Sequence, residues 1–98
     1  MAEWPRGWWP IENLDHRRAF REELEAEVGA GHLLKGMALD AIARRDGSDD
    51  YLFAAEDGRV AEVRLTFGNH PERPPWPEAV LYESLEAWRR SRRGDMQN

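Results

Sequence analysis

Two histidines and an aspartate pair are the residues of this chain whose types could do chemistry. His32 lies in a glycine-rich connector, His70 lies in a polar loop, and Asp49 and Asp50 stand directly before a predicted strand. Imidazole and carboxylate groups can bind a metal ion or act as general acid and base. The residue types alone therefore allow a small hydrolase or metal-dependent enzyme that uses these four side chains.

The spacing of the same residues favours a structural role. The histidines lack the four-residue separation that places two ligands on one face of a zinc-binding helix. Carboxylates in loops commonly accept hydrogen bonds from nearby backbone amides. The sequence also lacks a phosphate-binding glycine motif and a nucleophile elbow. We expect no catalytic residue, no metal and no cofactor, and we keep the enzyme as the alternative hypothesis.

Four arginines at the end of the last predicted helix are a second candidate site: Arg89, Arg90, Arg92 and Arg93. Such a cluster could bind phosphate groups in an RNA-binding module. The net charge of −5 opposes this, because binding to a phosphate backbone relies on clustered positive charge. Cations also stabilise a helix C-terminus. We expect no nucleic acid partner; the arginines could instead contact the glutamate-rich first helix of a second copy in a homodimer.

Large aromatic side chains stand on irregular segments. Three of the five tryptophans precede a proline, which favours extended backbone: Trp4, Trp9 and Trp76. Such residues either cover a small core or anchor a partner. We expect Trp76 and Trp88 to close the core. Because neighbours in extended backbone point in opposite directions, one of Trp8 and Trp9 should be less buried than the other, and this pair is a candidate partner-binding site.

Composition excludes several classes of protein. The chain has no cysteine, so it has no disulfide framework, thiol chemistry or cysteine-based zinc site. The first residues contain no apolar signal-peptide core, and no run approaches the length of a membrane span. We expect a cytoplasmic protein that does not enter a membrane.

The length of the chain predicts one domain over residues 1–98, with a Trp- and Pro-rich lead at 1–13 and a frayed tail at 94–98. Apolar residues four apart predict a helix from Asp15 to Val28, with Asp15 as its N-cap and Gly29 as a left-handed C-cap. Alternation and turn residues predict the remaining elements: strands Met37–Arg44, Tyr51–Glu56, Val60–Phe67 and Ala79–Glu83, then a helix Leu85–Arg92.

The turn at Asp57, the segment 79–83 and the partner of Asp40 depend on single residues or allow two interpretations. Asp57 and Gly58 predict a two-residue hairpin turn. The segment 79–83 also fits a helix that begins at Pro77. Asp40 should face solvent or pair with Arg64 across the sheet. The fold class predicted is α+β: a two-layer domain in which an antiparallel meander of three or four strands packs against an N-terminal and a C-terminal helix.

Several segments resemble a family of small bacterial proteins of unknown function. They are GHLLKG at 31–36, SDDYLF at 48–53 and VRLTF at 63–67, and the resemblance covers residues 14–93. The chain departs from the family pattern at three positions: Leu33 replaces a proline, Arg64 a histidine and Phe67 a tryptophan. The lost histidine weakens a histidine-based site, and the resemblance implies no activity.

These observations favour a non-enzymatic protein-interaction module, such as an adaptor or an acidic antidote that covers a basic partner. Acidic charge, small size and aromatic loops carry this expectation. The residues that could contact the partner are Trp8, Trp9, His32, Asp49, Asp50 and His70.

Overall fold

The computed structural model describes residues 4–92 as a five-stranded antiparallel sheet with two helices. In chain order the elements are β1 (Trp8–Pro10), α1 (Leu14–Glu27), β2 (Leu39–Arg45), β3 (Asp50–Ala55), β4 (Val60–Arg64), β5 (Glu78–Tyr82) and α2 (Leu85–Ser91). Strands that are consecutive in sequence are neighbours in the sheet. The α+β class, the meander and both helices are confirmed, while the predicted strand count is too low by at least one. The predicted frayed tail at 94–98 lies outside the described residues.

The additional strand comes from the Trp- and Pro-rich lead. Trp8 and Pro10 of β1 pair with Arg45 and Ala43 of β2. A proline removes one donor from a sheet, so it is tolerated on an edge strand such as this one. Residues 8–10 of the lead, whose extended backbone is expected from the Trp9-Pro10 step, are therefore used for pairing.

Helix α1 begins one residue earlier than predicted, because Asn13 caps it. The Oδ1 atom of Asn13 accepts hydrogen bonds from the backbone N–H groups of Asp15 at 2.9 Å and His16 at 3.1 Å. Asn is as good an N-cap as Asp. The helix ends at an extended Val28, and the left-handed residue is Gly31, with φ of 86°, and not Gly29.

The turn between β3 and β4 has three residues and not two. Ala55 N–H donates to Arg59 O at 2.9 Å, and Gly58 N–H donates to Ala55 O at 3.2 Å. Only Gly58 in this turn has positive φ, at 97°. This is the hairpin in which a type I turn is followed by a left-handed glycine. The Asp57 carboxylate accepts from Arg59 N–H, which stabilises the turn.

Apolar side chains cover both faces of the sheet. Tyr51 and Phe53 of β3 belong to a core that includes Leu24 of α1, whereas Leu52 belongs to a second core with Trp88 of α2. Consecutive residues of a strand point to opposite faces. The two helices therefore lie on opposite faces of the sheet, which corrects the predicted two-layer arrangement.

Tryptophans from three segments form the core beneath α2. The ring of Trp88 is fully buried, and its centroid lies 5.0 Å from that of Trp8 and 6.0 Å from that of Trp4, both edge to face. Its indole N–H donates to Glu62 Oε1 at 2.9 Å. The core role predicted for Trp88 is confirmed. That predicted for Trp76 is wrong, because this residue is 47% exposed.

Replacement of Trp88 should therefore destabilise the fold much more than replacement of Trp76. We expect Trp88→Ala to lower the free energy of unfolding by about 3–5 kcal/mol, the usual cost of removing a buried indole. Urea denaturation followed by far-ultraviolet circular dichroism measures it. Trp76→Ala is the matched control and should lower the free energy by less than half as much; equal losses would contradict the assignment of Trp88 to the core.

Candidate functional site

His32 is a buried structural residue. Its Nδ1 atom accepts a hydrogen bond from Leu34 N–H at 3.0 Å, so its Nε2 atom carries the proton and donates to Pro77 O at 2.8 Å. The neutral ring thereby joins the connector after α1 to the residue that precedes β5. Both ring nitrogens are occupied by backbone groups.

Asp50 is buried and forms an ion pair with Arg64 on the neighbouring strand. Its Oδ1 atom accepts from Arg64 Nε at 2.9 Å, and Oδ2 accepts from Ser48 Oγ at 3.1 Å. Burial raises the pKa of the Asp50 carboxyl, but the hydrogen bonds and charge of Arg64, with help from Ser48 and Arg45, outweigh it and hold the pKa below its ordinary value. This is a structural pair that joins β3 to β4.

Asp49, Asp40 and His70 have hydrogen-bond or ion-pair partners of their own. Asp49 has an exposed side chain, and its backbone carbonyl accepts from Leu65 N–H at 3.0 Å. Asp40 pairs with Arg17 of α1 at 2.9 Å and not with Arg64. The exposed His70 places Nδ1 3.1 Å from Pro71 O.

The four residues of the enzyme hypothesis therefore have separate hydrogen-bond partners. Among residues 4–92, no group of three or more histidine, aspartate and glutamate side chains is arranged to hold a metal ion.

Glu27, at the end of α1, is a buried ionisable residue that was not among the candidate site residues predicted from the sequence. Its side chain is fully buried. Oε1 accepts from Thr66 N–H at 2.8 Å and Oε2 accepts from Phe67 N–H at 2.7 Å. A signal was present, because Glu27 lies three residues after Leu24 and seven after Phe20, on the apolar stripe of the helix.

Glu27 also explains why β4 ends before its predicted limit at Phe67. The carboxylate takes the two amides that would otherwise continue the ladder, and Phe67 adopts a left-handed φ of 60°. Its ring is consequently partly exposed and does not continue the buried face of β4.

The Glu27 carboxyl has a strongly raised pKa. Burial is the main cause, and a hydrogen bond to the nearby carboxylate of Glu23 adds to it, which together raise the pKa from 4.5 to about 7 despite the two backbone donors. A buried charge without a cationic partner is unfavourable, so the neutral form is stabilised. Glu23 is itself engaged, since its Oε2 accepts from Asn69 N–H at 2.9 Å.

Exposed apolar side chains gather beside the start of β5. Leu33 of the connector is 56% exposed, and it lines a hollow of about 430 Å³ together with Pro74, Pro75 and Ala79. Trp76 continues the same proline loop with an exposed ring. Neither Leu33 nor Trp76 contributes to the buried cores.

The opposite side of β5 carries one apolar and one acidic side chain. Val80 is 54% exposed, and with Glu78 it lines a second groove that contains the Asp50–Arg64 pair. We define the β5 edge surface as the backbone of β5 with Leu33, Pro74 and Pro75 on one side, Glu78 and Val80 on the other, and the exposed Trp76 in the loop that precedes the strand.

The tryptophan pair predicted to bind a partner lies at the other edge of the sheet. Trp8 is 2% exposed and Trp9 is 57% exposed, which confirms that one of the two is less buried than the other. The Trp9 indole N–H donates to Asp46 Oδ2 at 2.7 Å, so its ring is held against the β2–β3 turn. This short edge strand offers less surface than β5.

The arginines of α2 are partly used inside the fold. Arg89 stacks its guanidinium over Trp4 at 5.7 Å, and Arg92 lies over Trp8 at 5.8 Å and pairs with Glu62. Arg93 lies outside the described residues. These contacts support the structural interpretation of the cluster over a phosphate site.

The fold and surface define a small α+β protein with an open sheet edge. No protein-family model, curated protein or solved structure matches the chain, so the family resemblance of residues 14–93 stays a prediction. Within residues 4–92, no helix is long and apolar enough to cross a membrane.

The raised pKa of Glu27 predicts a specific pH dependence of stability. A carboxyl that holds its proton more tightly when folded adds stability that is complete below its unfolded pKa, near 4.5, and is lost as the pH rises through about 7. We expect the urea midpoint to fall between pH 5 and pH 7.5. The Glu23→Gln substitution removes the neighbouring negative charge, so it should lower the pKa of Glu27 and move this fall to lower pH.

Carbon-detected nuclear magnetic resonance of the Glu27 carboxyl gives the pKa directly. Glu12→Gln, at an exposed position before α1, is the control and should leave the profile unchanged. A stability that is flat from pH 5 to pH 7.5, or an ordinary glutamate pKa for Glu27, would contradict the assignment.

Proposed function

We propose that this chain is a non-catalytic protein-interaction module whose partner binds the β5 edge surface. The observation that carries the proposal is the set of exposed apolar side chains around an unpaired strand: Leu33, Trp76 and Val80. Protein interfaces have apolar, aromatic centres with polar rims. Tryptophan is among the most frequent anchors of binding energy.

The environment of the candidate catalytic residues supports the same proposal over the hydrolase alternative. A general base must present a free lone pair to its substrate. His32 uses both ring nitrogens on backbone groups, and the carboxylate of Asp50 is engaged by Arg64. These residues are better explained as the supports of the strand and loop that carry the surface.

The finer form of the proposal is an adaptor or acidic antidote in the cytoplasm. The net charge of −5 favours a basic partner, and the cysteine-free composition favours a reducing compartment. A homodimer through the arginines of α2 is less well supported, because Arg89 and Arg92 already contact Trp4 and Trp8.

Site-specific photo-crosslinking tests the proposal. A benzoylphenylalanine in place of Val80 should crosslink one protein in stoichiometric yield in cells of the source organism. The purified partner should then form a complex with the wild-type chain that isothermal titration calorimetry detects. We expect Leu33→Asp and Trp76→Asp each to weaken that complex at least tenfold, because a charge would be buried without a partner in the interface.

Leu14→Asp is the matched control, since Leu14 is equally apolar and exposed but lies at the start of α1. It should leave the affinity unchanged. The proposal fails if no protein is crosslinked from position 80, or if the control weakens the complex as much as Leu33→Asp does.

A further inference from the structure

We infer that the partner binds as an additional β-strand along β5, in an extended segment where basic side chains alternate with apolar ones. This inference rests on the proposed function and adds to it the backbone conformation and the chemistry of the partner. Strand addition supplies affinity through main-chain hydrogen bonds and specificity through pockets for alternate side chains.

The direction of the backbone groups of β5 follows from the ladder between β3 and β4. Leu65 N–H donates to Asp49 O and Ala55 N–H donates to Arg59 O, so the odd-numbered residues of β4 bond to β3. The even-numbered residues of β4 therefore bond to β5. They stand opposite the even-numbered residues of β5: Glu78, Val80 and Tyr82.

The remaining residues of β5, Ala79 and Leu81, direct their N–H and C=O groups away from β4. The sheet order ends at β5, so within residues 4–92 no strand pairs with this edge. Pro77, like Ala79 and Leu81, directs its carbonyl away from β4. This carbonyl accepts a hydrogen bond from His32 Nε2 at 2.8 Å. A donor outside the sheet thus already bonds to the first outward carbonyl, and among residues 4–92 no hydrogen bond occupies the outward backbone groups of Ala79 and Leu81.

Three of the devices that commonly protect an edge strand are missing from β5. Edge strands are commonly blunted by lysine, proline or a bulge. The segment Glu78–Tyr82 contains no lysine and no proline, and its pairing with β4 runs without a shift in register. The opposite edge, β1, has only three residues and includes Pro10.

An added strand would place alternate side chains against two different surfaces. On the side of Ala79 and Leu81 lies the apolar hollow formed by Leu33, Pro74 and Pro75, which fits a branched apolar side chain. On the other side lie Glu78 and Val80, in a groove that is acidic on balance because Asp50 and Glu62 line it together with one cation, Arg64. A lysine or arginine there would lay its methylene stem on Val80 and bring its cation to the Glu78 carboxylate.

The charge around the edge supports a basic occupant. Residues 74–88 contain three glutamates, at positions 78, 83 and 86, and no lysine or arginine. Two copies of this chain paired through β5 would bring six glutamates together. Charge complementarity therefore favours a basic segment over a second copy.

Fluorescence anisotropy with a synthetic peptide tests the inference. The probe is a fluorescein-labelled hexapeptide in which lysine and valine alternate. It should bind at least tenfold more tightly than a peptide of the same composition with three lysines followed by three valines, and more tightly than an alternating glutamate and valine peptide. Methylation of the backbone nitrogens on the edge of the probe that pairs with β5 should abolish binding, whereas methylation on the outer edge of the probe should not.

Two substitutions in β5 separate the backbone role from folding. Ala79→Pro removes an outward N–H that β4 does not use, so it should keep the thermal midpoint near that of the wild type and weaken the probe at least tenfold. Val80→Pro removes an N–H bonded to β4 and should lower the thermal midpoint.

Glu78→Lys tests the charge of the edge and should weaken binding of the probe. Its control Glu12→Lys, with the same change in net charge, should have little effect on that binding.

Unchanged probe affinity in Ala79→Pro, or equal affinity for the blocked and alternating peptides, overturns strand addition. If the crosslinked partner still binds through Leu33 and Trp76 in that case, the interaction module stands without it. A wild-type dimer in analytical ultracentrifugation that Ala79→Pro dissociates would identify a second copy as the occupant and overturn the basic partner.

Discussion

The placement of the proline loop depends on the C-terminal end of α1. Glu27 binds the amides of Thr66 and Phe67 with its carboxylate, and its own backbone carbonyl accepts from Glu72 N–H at 2.8 Å. One residue thereby holds both ends of the turn that follows β4. Buried carboxylates are tolerated where backbone donors satisfy them, and the raised pKa of Glu27 is the electrostatic cost of this arrangement.

Two contacts close to Glu27 in sequence also help to position the β5 edge surface. Gly29 allows the loop to approach closely, since a Cβ atom at this position would lie 2.8 Å from Glu72 O. His32 then donates to Pro77 O and fixes the last loop residue before β5. The segment from 27 to 32 therefore positions the whole loop from Thr66 to Pro77, and with it the exposed Trp76.

Side-chain periodicity was sufficient to predict much of the fold. The stripe of Phe20, Leu24 and Val28 located α1, and the alternation after Val60 located β4, because both patterns express burial of one face. Helix α2 begins after Ser84, whose Oγ accepts from Ala87 N–H at 3.0 Å, close to the predicted start at Leu85.

The features that could not be predicted depend on contacts between distant residues. Strand β1 exists because Trp8 reaches Trp88, 80 positions further along the chain, and packs edge to face against it. The position of Glu27 on the apolar stripe of α1 indicates burial, but its partners, the amides of Thr66 and Phe67, lie about 40 residues further along the chain. The edge surface likewise joins Leu33 to Pro74 and Pro75. Local patterns carry no direct information on such pairings.

The acidic character of the β5 segment reconciles an open sheet edge with a chain that must not aggregate. An exposed edge with an apolar residue such as Val80 is a template for association with any extended chain. The glutamates at positions 78, 83 and 86 oppose pairing with another copy through like-charge repulsion. In the proposed strand addition, the same charges would attract a basic segment and leave the outward amides of Ala79 and Leu81 able to bond to it. A proline in β5 would protect the edge as well, but it would also remove a donor that the proposed partner uses. Protection by charge is therefore compatible with the proposed binding, whereas protection by proline is not.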